Sequence, residues 1–487
     1  MMDRRAFLRA AGMTGVVLAA GCSAGRTPPQ ASPSSTPSVP TSTVTLPPGP
    51  PDWETLRARL SGNLTLAGEG NFTYQGFNPA RDSRIPAAIA RCHKVEDVQA
   101  CVEVAAKSKV PIAARSGGHS YAGYSTPDKG LQVDLKNMAG VEVRPDGTVR
   151  IGAGAQLSDI YAALGKAGRC LPGGSCPSVG IAGLTLGGGI GVLARKYGLT
   201  CDRLDAVTVV TPDSKVVMAS KGSDADLFWA LRGGGGGNFG IATEFIFTTE
   251  PAPDLVVFSM RFPAGSAANV LGAWQQWLTQ IPNELWTNLV ITGGSPPTCR
   301  VGGCFAGTVS QLNGLLATFK PSAKPTSKFV QAKGYLDAMK YFAGGPPQRE
   351  SFVASSRVLN APVPDPAAVA NLLAGKSEMD ILLDSLGGAV AEPEPSASAF
   401  PYRKALASAQ IYLKTPPARV DSASAEVGEV RDKLGAITGP TGYVNYIDPS
   451  MPDWAKAYYG DNLPRLQKIV KQYDPDSVFA FAQAIPR

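Results

Sequence analysis

An α+β fold in two parts, closed by a C-terminal tail that returns to the first part, is what the sequence predicts. Three observations lead there. At 487 residues the chain is too long for one simple core. Up to about residue 255 short strands and helices are separated by glycine clusters, whereas from Val256 to about Lys414 longer strands and helices alternate without them. From Gly442 onward aromatic side chains crowd together in Tyr443-Val-Asn-Tyr446, Trp454, Tyr458-Tyr459 and Phe479-Ala-Phe481, and so aromatic a tail must pack against something. The divisions expected are 1–22, 23–52, 53–255, 256–435 and 436–487.

With 44% hydrophobic and 17% charged residues the composition is globular. The formal charge of +7 comes without any Lys/Arg run that could track a phosphate backbone, which argues against nucleic acid as a partner. Residues 1–22 carry Arg4-Arg5 ahead of a short apolar stretch from Ala10 to Gly21, the pattern of a Tat export signal and too short for a stable bilayer anchor. Ala19-Ala-Gly-Cys22 resembles a lipobox, so two outcomes stand: a lipid on Cys22 and an envelope location, or cleavage and release. From Arg26 to Pro51 the chain is almost all Pro, Ser, Thr and Gly; 23–52 is therefore expected to be a disordered tether.

Within 53–255, Val95, Val98, Val102 and Ala105 repeat at helical spacing, and Val110-Pro-Ile-Ala-Ala is a short strand that leads into a glycine turn. Leu131, Val133 and Leu135 alternate with Gln132 and Asp134 as in a half-buried strand. Ile151-Gly-Ala-Gly leads into a helix near Leu157 to Ala167. The runs Ala206-Val-Thr-Val-Val-Thr and Lys215-Val-Val-Met flank Pro212-Asp213 as a hairpin. A short helix from Asp226 to Arg232 then runs into Gly233 to Gly237 and a strand from Ile241 to Thr248. Five glycines can be a flexible linker. Wedged between a tryptophan-bearing helix and an aliphatic strand, they read better as backbone packed beside a ligand.

Two nucleophiles stand in glycine-rich turns: His119 in Arg115-Ser-Gly-Gly-His-Ser-Tyr-Ala-Gly123 and Cys176 in Gly173-Gly-Ser-Cys-Pro-Ser-Val-Gly180. His119 is one of only two histidines, which argues against a histidine-based metal cluster. Glycine removes side-chain bulk and lets backbone N–H groups approach a planar, phosphate-bearing ligand, so the pair suggests a covalently held cofactor. The alternative for Cys176 is a disulfide with Cys170 or Cys201. If a cofactor takes Cys176, then Cys92, Cys101, Cys170, Cys201, Cys299 and Cys304 form an even set that an oxidising compartment would let pair. Closeness in sequence favours Cys299 with Cys304, against buried free thiols for all six.

With Gly187-Gly-Gly-Ile-Gly191, Arg195-Lys-Tyr-Gly-Leu199, Phe228-Trp-Ala-Leu-Arg-Gly-Gly-Gly-Gly-Gly237, Phe400-Pro-Tyr-Arg403 and Tyr443-Val-Asn-Tyr446, the two turns complete a set. The set resembles the FAD-linked oxidases of the berberine-bridge-enzyme-like group, which includes glucooligosaccharide oxidases, in the vanillyl-alcohol-oxidase superfamily. The resemblance runs from about Trp53 to the C-terminus. It implies a FAD-binding domain made of 53–255 and the returning segment 436–487, and an α+β substrate domain, 256–435, with a large antiparallel sheet. It implies bicovalent FAD, with His119 bonded to the flavin 8α carbon and Cys176 to C6. It also implies a cofactor site drawn from Arg115, Ser116, Gly117, Gly118, Ser120, Val179, Gly180, Gly187, Gly188, Gly240, Ile241 and Asn445, with no metal.

The reaction so implied moves hydride from an alcohol, foremost a sugar or oligosaccharide hydroxyl, to the flavin while a base takes the hydroxyl proton. Tyr443 is the expected base and Tyr121 a second active-site tyrosine that orients the substrate; alternatively either ring only packs against the flavin. A phenol near pKa 10 is a poor base at neutral pH, so a neighbour must lower its pKa or accept its proton, and Asp384 is a candidate. Ile190 stands where plant members that oxidise aromatic alcohols carry a tyrosine base, which argues against that mechanism. Glu392 falls where the berberine-forming enzyme has its catalytic glutamate, although a surface-loop carboxylate is the commoner fate for either acid. Gln410 matches a position that lines the substrate cavity. Val179 stands at the oxygen-gatekeeper position, where a residue this small is associated with oxygen as acceptor and hydrogen peroxide as product. Two rival readings are an oxidase or dehydrogenase of a secondary metabolite or aromatic alcohol, and a flavinylated envelope binding protein with little turnover.

Overall fold

The computed structural model describes residues 49–345 and 348–487. The Arg4-Arg5 stretch, Cys22 and the tether up to residue 48 lie outside the described residues. The first part is built on two small sheets. In one, β1 (Asn63–Leu66), β2 (Ala88–Arg91), β3 (Ile112–Arg115) and β4 (Leu131–Asp134) are ordered β1-β2-β4-β3. Helices α1 (Trp53–Arg59) and α2 (Val95–Ser108) pack with it, and α2 buries Val98, Val102 and Ala105 as their spacing predicts. The start of α2 is fixed by Asp97, whose carboxylate accepts the backbone N–H groups of Ser61 and His93, both at 2.8 Å. Strand β4 is not half-buried as its alternation suggests. It lies parallel between β2 and β3, and Leu131, Gln132 and Val133 are all buried because both faces are covered. Gln132 is accommodated by donating Nε2 to the Ser125 carbonyl and the Thr126 hydroxyl.

The second sheet joins β5 (Val141–Val143), β6 (Thr148–Gly152), β8 (Leu204–Val210), β9 (Val216–Ser220) and β10 (Ile241–Thr248) in the order β5-β6-β10-β8-β9. A separate two-stranded ladder pairs β7 (Arg169–Cys170) with β11 (Glu250–Pro251). The β8–β9 hairpin is the predicted one, with Ser214 at φ 63°. Helices α3 (Leu157–Lys166) and α4 (Ile181–Leu186) flank the Cys176 turn.

The remaining strands make a seven-stranded antiparallel sheet. They are β12 (Leu255–Phe262), β13 (Leu285–Thr292), β14 (Thr298–Ala306), β15 (Ser327–Lys333), β16 (Phe352–Leu359), β17 (Met379–Ser385) and β18 (Ala407–Lys414), ordered β15-β12-β14-β13-β17-β18-β16. Period-2 geometry divides its faces. Along β17, Met379, Ile381 and Leu383 enter a core shared with the helices Ala267–Leu278 and Val420–Thr438, while Asp380, Leu382 and Asp384 take the other face. Burial of each such Ile or Leu contributes about 1.5–3 kcal/mol, which leaves the second face free to carry polar groups.

Cys299 and Cys304 do not pair. Both sit on β14, and an offset of five residues sends Cys299 into the helix-side core and Cys304 toward the Val192 carbonyl, roughly 17 Å apart along the strand. All seven described cysteines are free thiols.

The tail does return to the first part. Leu466, Ile469, Val470, Phe479 and Ile485 belong to the same buried cluster as Leu227, Phe228 and Phe245. The Ile485 N–H donates to Asn238 Oδ1 at 2.9 Å, and the Tyr459 hydroxyl donates to the Gly234 carbonyl at 3.1 Å, so the tail pins the glycine run in place. A smaller buried cluster containing Ile190, Leu199, Phe400, Tyr402 and Tyr443 joins the first part to the sheet.

Candidate active site

A cavity of about 1120 Å³ lies between the glycine turns and the polar face of the large sheet. Its wall includes the 116–121 turn, much of the 174–192 stretch, Gly235 to Gly237, and the tail at Tyr443 to Ile447 and Ala480 to Gln483. The two nucleophilic turns interlock through backbone. A Cβ on Gly117 would stand 2.3 Å from the Gly180 nitrogen, and one on Gly180 would stand 2.1 Å from Ser116 Oγ, so neither position admits a side chain. The approach brings His119 and Cys176 to one hydroxyl: Ser178 Oγ lies 2.9 Å from His119 Nε2 and 3.9 Å from Cys176 Sγ.

The His119 ring stacks on Phe77 with centroids 3.5 Å apart. Burial, assisted by the Arg115 charge, pushes its pKa down to about 4. At neutral pH the imidazole is therefore uncharged and keeps a lone pair able to bond carbon. Beyond it the wall at Gly174, Gly180, Gly183, Gly191 and Gly235 to Gly237 is side-chain-free. A Cβ at Gly191 would stand 1.7 Å from the Gly173 carbonyl oxygen, which shows how closely backbone runs on backbone there. These residues fit a planar group with a phosphate tail, since two nucleophiles sharing one serine hydroxyl can reach nearby carbons along one aromatic edge.

Ser116, Gly117, Gly118, Ser120, Val179, Gly180, Gly240, Ile241 and Asn445 line the cavity, and so do Tyr121, Asp384, Gln410 and Tyr443. Four expected residues do not. Arg115 turns away to donate Nη2 to the Gln75 carbonyl at 3.1 Å and acts on the site only through its charge on His119. Gly187 and Gly188 lie beneath other wall groups: a Cβ would stand 2.0 Å from Asn445 Oδ1 at the first and 3.0 Å from the Phe400 ring at the second. Glu392 is exposed, outside the cavity. Its chain is turned outward because Gly387 and Gly388 seat on the buried Arg195, whose carbonyl oxygen would lie 2.3 Å from a Gly388 Cβ. Arg195 itself donates to the carbonyls of Leu285, Leu386 and Ile281, so its motif is a structural post between the two parts.

Tyrosines dominate the far side. The Tyr121 hydroxyl accepts Gln410 Nε2 at 2.5 Å, and its ring stacks on Tyr446 at 5.5 Å. The Tyr443 hydroxyl oxygen accepts three N–H groups, from Gly189 at 3.1 Å, Ile190 at 3.2 Å and Asn445 Nδ2 at 2.9 Å. A phenol oxygen offers two lone pairs, so its acceptor capacity is filled by protein. Burial outweighs those donors and pushes the Tyr443 pKa up to about 12. Tyr446, which sequence reasoning passed over, lines the cavity, and its hydroxyl has no hydrogen-bond partner among the described residues. Burial, then the Asp384 charge, hold its pKa well above the ordinary phenol value. The signal for it was in the same motif, because residues three apart eclipse in the short 3₁₀ turn Val444–Tyr446. Burial also raises Asp384, to about 6, while Asn288, opposite it on β13, favours its charged form.

Comparison with known proteins matches a family model described as FAD binding domain to residues 86–220 and one described as berberine and berberine like to residues 442–486. An uncharacterized FAD-linked oxidoreductase of Bacillus subtilis, YgaK, is 33% identical over 448 residues, covering 88% of this chain and 98% of that one. A chitooligosaccharide oxidase of Gibberella zeae is 31% identical over 479 residues, covering 88% and 95%. The solved structure of BBE-like 1 from Physcomitrella patens aligns with a TM-score of 0.83 at 27% identity, covering 89% of this chain and 98% of that one.

Proposed function

Because the chain belongs to the berberine-bridge-enzyme-like family of FAD-linked oxidases, we propose that it oxidises a carbohydrate hydroxyl, with FAD held through both His119 and Cys176. The observation that carries the reading is the single cavity in which these two nucleophiles face Tyr121, Tyr446, Gln410 and Asp384. When bound, FAD supplies the hydride acceptor. The chain supplies alignment and the proton's destination. Gln410 fixes the Tyr121 hydroxyl, which orients the sugar hydroxyl. Tyr446 takes the substrate proton as its own passes through a bridging water in the cavity to Asp384, whose pKa of about 6 suits it to exchange a proton near neutrality. Tyr443, committed to three donors, positions the Gly189–Ile190 backbone instead.

An oligosaccharide is favoured by the similarity to a chitooligosaccharide oxidase over nearly its whole length. It is also favoured by the polar groups Asn288, Asp384 and Gln410 on the cavity wall, which offer a many-hydroxyl substrate more partners than an aromatic alcohol could use. Val179, three residues from Cys176 on the wall, supports oxygen as acceptor and peroxide as product; Val179→Ile should slow flavin reoxidation. Arg4-Arg5 and Cys22 support export, ending in a lipid anchor or in release. The test is a peroxide-coupled screen of mono- and oligosaccharides beside polyols and aromatic alcohols, with anaerobic flavin bleaching. Sugars are expected to bleach the flavin and yield peroxide. A response confined to aromatic alcohols removes the sugar assignment, and no bleaching by any alcohol removes turnover.

A further inference from the structure

We infer that the preferred substrate is an oligosaccharide bearing a carboxylate on a ring other than the one oxidised, and that Arg261 and Arg300 receive this group; the inference rests on the carbohydrate reading of the same cavity. The β12–β14 register sets Arg261 directly opposite Arg300, and both line the cavity. Like charges facing each other across a ladder are destabilising, so the pair calls for a reason. Neither arginine makes an ion pair or a side-chain hydrogen bond among the described residues. Arg300 is half-buried and Arg261 exposed, whereas Arg150 and Arg465, also at the surface, find carboxylates, each at 2.7 Å.

The carboxylates nearby do not neutralise the pair. Asp380 and Asp384 act on Arg300 through space without reaching ion-pair distance, and Glu350 is taken by Lys414 and by the Tyr412 hydroxyl at 2.7 Å. Gly302 gives the Arg300 side chain its room: a Cβ there would stand 2.8 Å from Arg300 Nη1 and 3.3 Å from Asn288 Oδ1. The guanidinium thus lies over the sheet beside a polar group of the wall, where burial already disfavours its charge. A carboxylate accepting two parallel N–H bonds from it would supply the missing partner.

Position follows from the ladder. Gln410, Leu382, Val290, Arg300 and Arg261 share one register row across β18, β17, β13, β14 and β12. Three strand spacings, roughly 14 Å, separate Gln410 from Arg300. Gln410 holds Tyr121 at the reacting end, and that span exceeds one pyranose ring, so the anion belongs to a neighbouring ring.

The test uses the flavin-loaded enzyme and paired oligosaccharides of equal length and linkage, one neutral and one with a uronate on a ring other than the one oxidised. The uronate is expected to have a kcat/KM about tenfold higher, carried in KM and shrinking at high salt. Arg300→Gln and Arg261→Gln should each bring it toward the neutral value while leaving turnover of the neutral sugar and the flavin spectrum unchanged, and Arg300→Lys should keep part of the preference. Equal kcat/KM for both sugars, or equal losses on both in the variants, overturns the inference while leaving the sugar oxidase reading intact. If neither sugar bleaches the flavin, it is the underlying carbohydrate reading that fails.

Discussion

Tyr443 and Tyr446 stand with their rings 5.0 Å apart and nearly perpendicular, yet their hydroxyls have opposite circumstances: one accepts three N–H groups, the other has no protein partner among the described residues. The contrast divides structure from chemistry within one short motif. Tyr446→Phe is expected to lower the rate of anaerobic flavin reduction by about 10²–10⁴-fold with little change in melting temperature. Tyr443→Phe would leave the buried backbone N–H groups of Gly189 and Ile190 without their acceptor, and is expected to cost about 1–3 kcal/mol of stability. Stopped-flow reduction and thermal melts on both variants decide it. The reverse pattern would return the base to Tyr443.

The proposed role of Asp384 as proton acceptor predicts an acid limb in the pH profile. It must be ionised to accept a proton, and burial holds its pKa at about 6, so kcat/KM should rise with pH through about 6 and then level. Titration of Asp384 itself does not unfold the protein across this limb. A carboxyl whose folded pKa lies above its unfolded value of about 3.9 favours the folded state most at low pH, and that contribution is lost as pH rises through about 6. Asp384→Asn should lower the plateau and abolish the limb; a limb that persists unchanged in this variant assigns it to another group.

The sequence carried the glycine turns, the tail's return and the local strands and helices, because each rests on spacing or on residue type within a few positions. It could not carry what the sheet register decides. Cys299 and Cys304 look like neighbours in sequence and face opposite sides of β14. Gln132 reads as a solvent-side residue, yet β4 is enclosed by parallel neighbours. Glu392 falls in sequence where the berberine-forming enzyme has its catalytic glutamate, but two glycines seated on Arg195 turn it outward. Arg261 and Arg300 meet only because strands 39 residues apart are paired in that register.

The proposed attachment through both His119 and Cys176 predicts an asymmetry between single and double variants. Since His119 and Cys176 lie on separate turns around Ser178, either bond alone should retain the cofactor. Acid-precipitated His119→Ala and Cys176→Ala proteins are each expected to stay yellow, and the double variant should release its flavin to the supernatant. Release from one single variant would reduce the attachment to one bond.

The Phe400-Pro-Tyr-Arg403 motif is legible in sequence but its task is mechanical. Arg403, 1% exposed, donates two bonds of 2.7 Å to the Asp202 carboxylate and one of 2.6 Å to Ser398 Oγ. It thereby holds Phe400, whose backbone nitrogen would lie 2.2 Å from a Cβ on Gly233. Removing one partner of a buried ion pair strands the other charge, so Arg403→Ala is expected to cost about 3–5 kcal/mol in denaturant unfolding. Pairing Arg403→Met with Asp202→Asn removes both charges and should recover most of that loss. Turnover per bound flavin should stay near the wild-type value in the double variant, because neither side chain lines the cavity. A large loss of turnover at full flavin occupancy would place this pair in the chemistry instead.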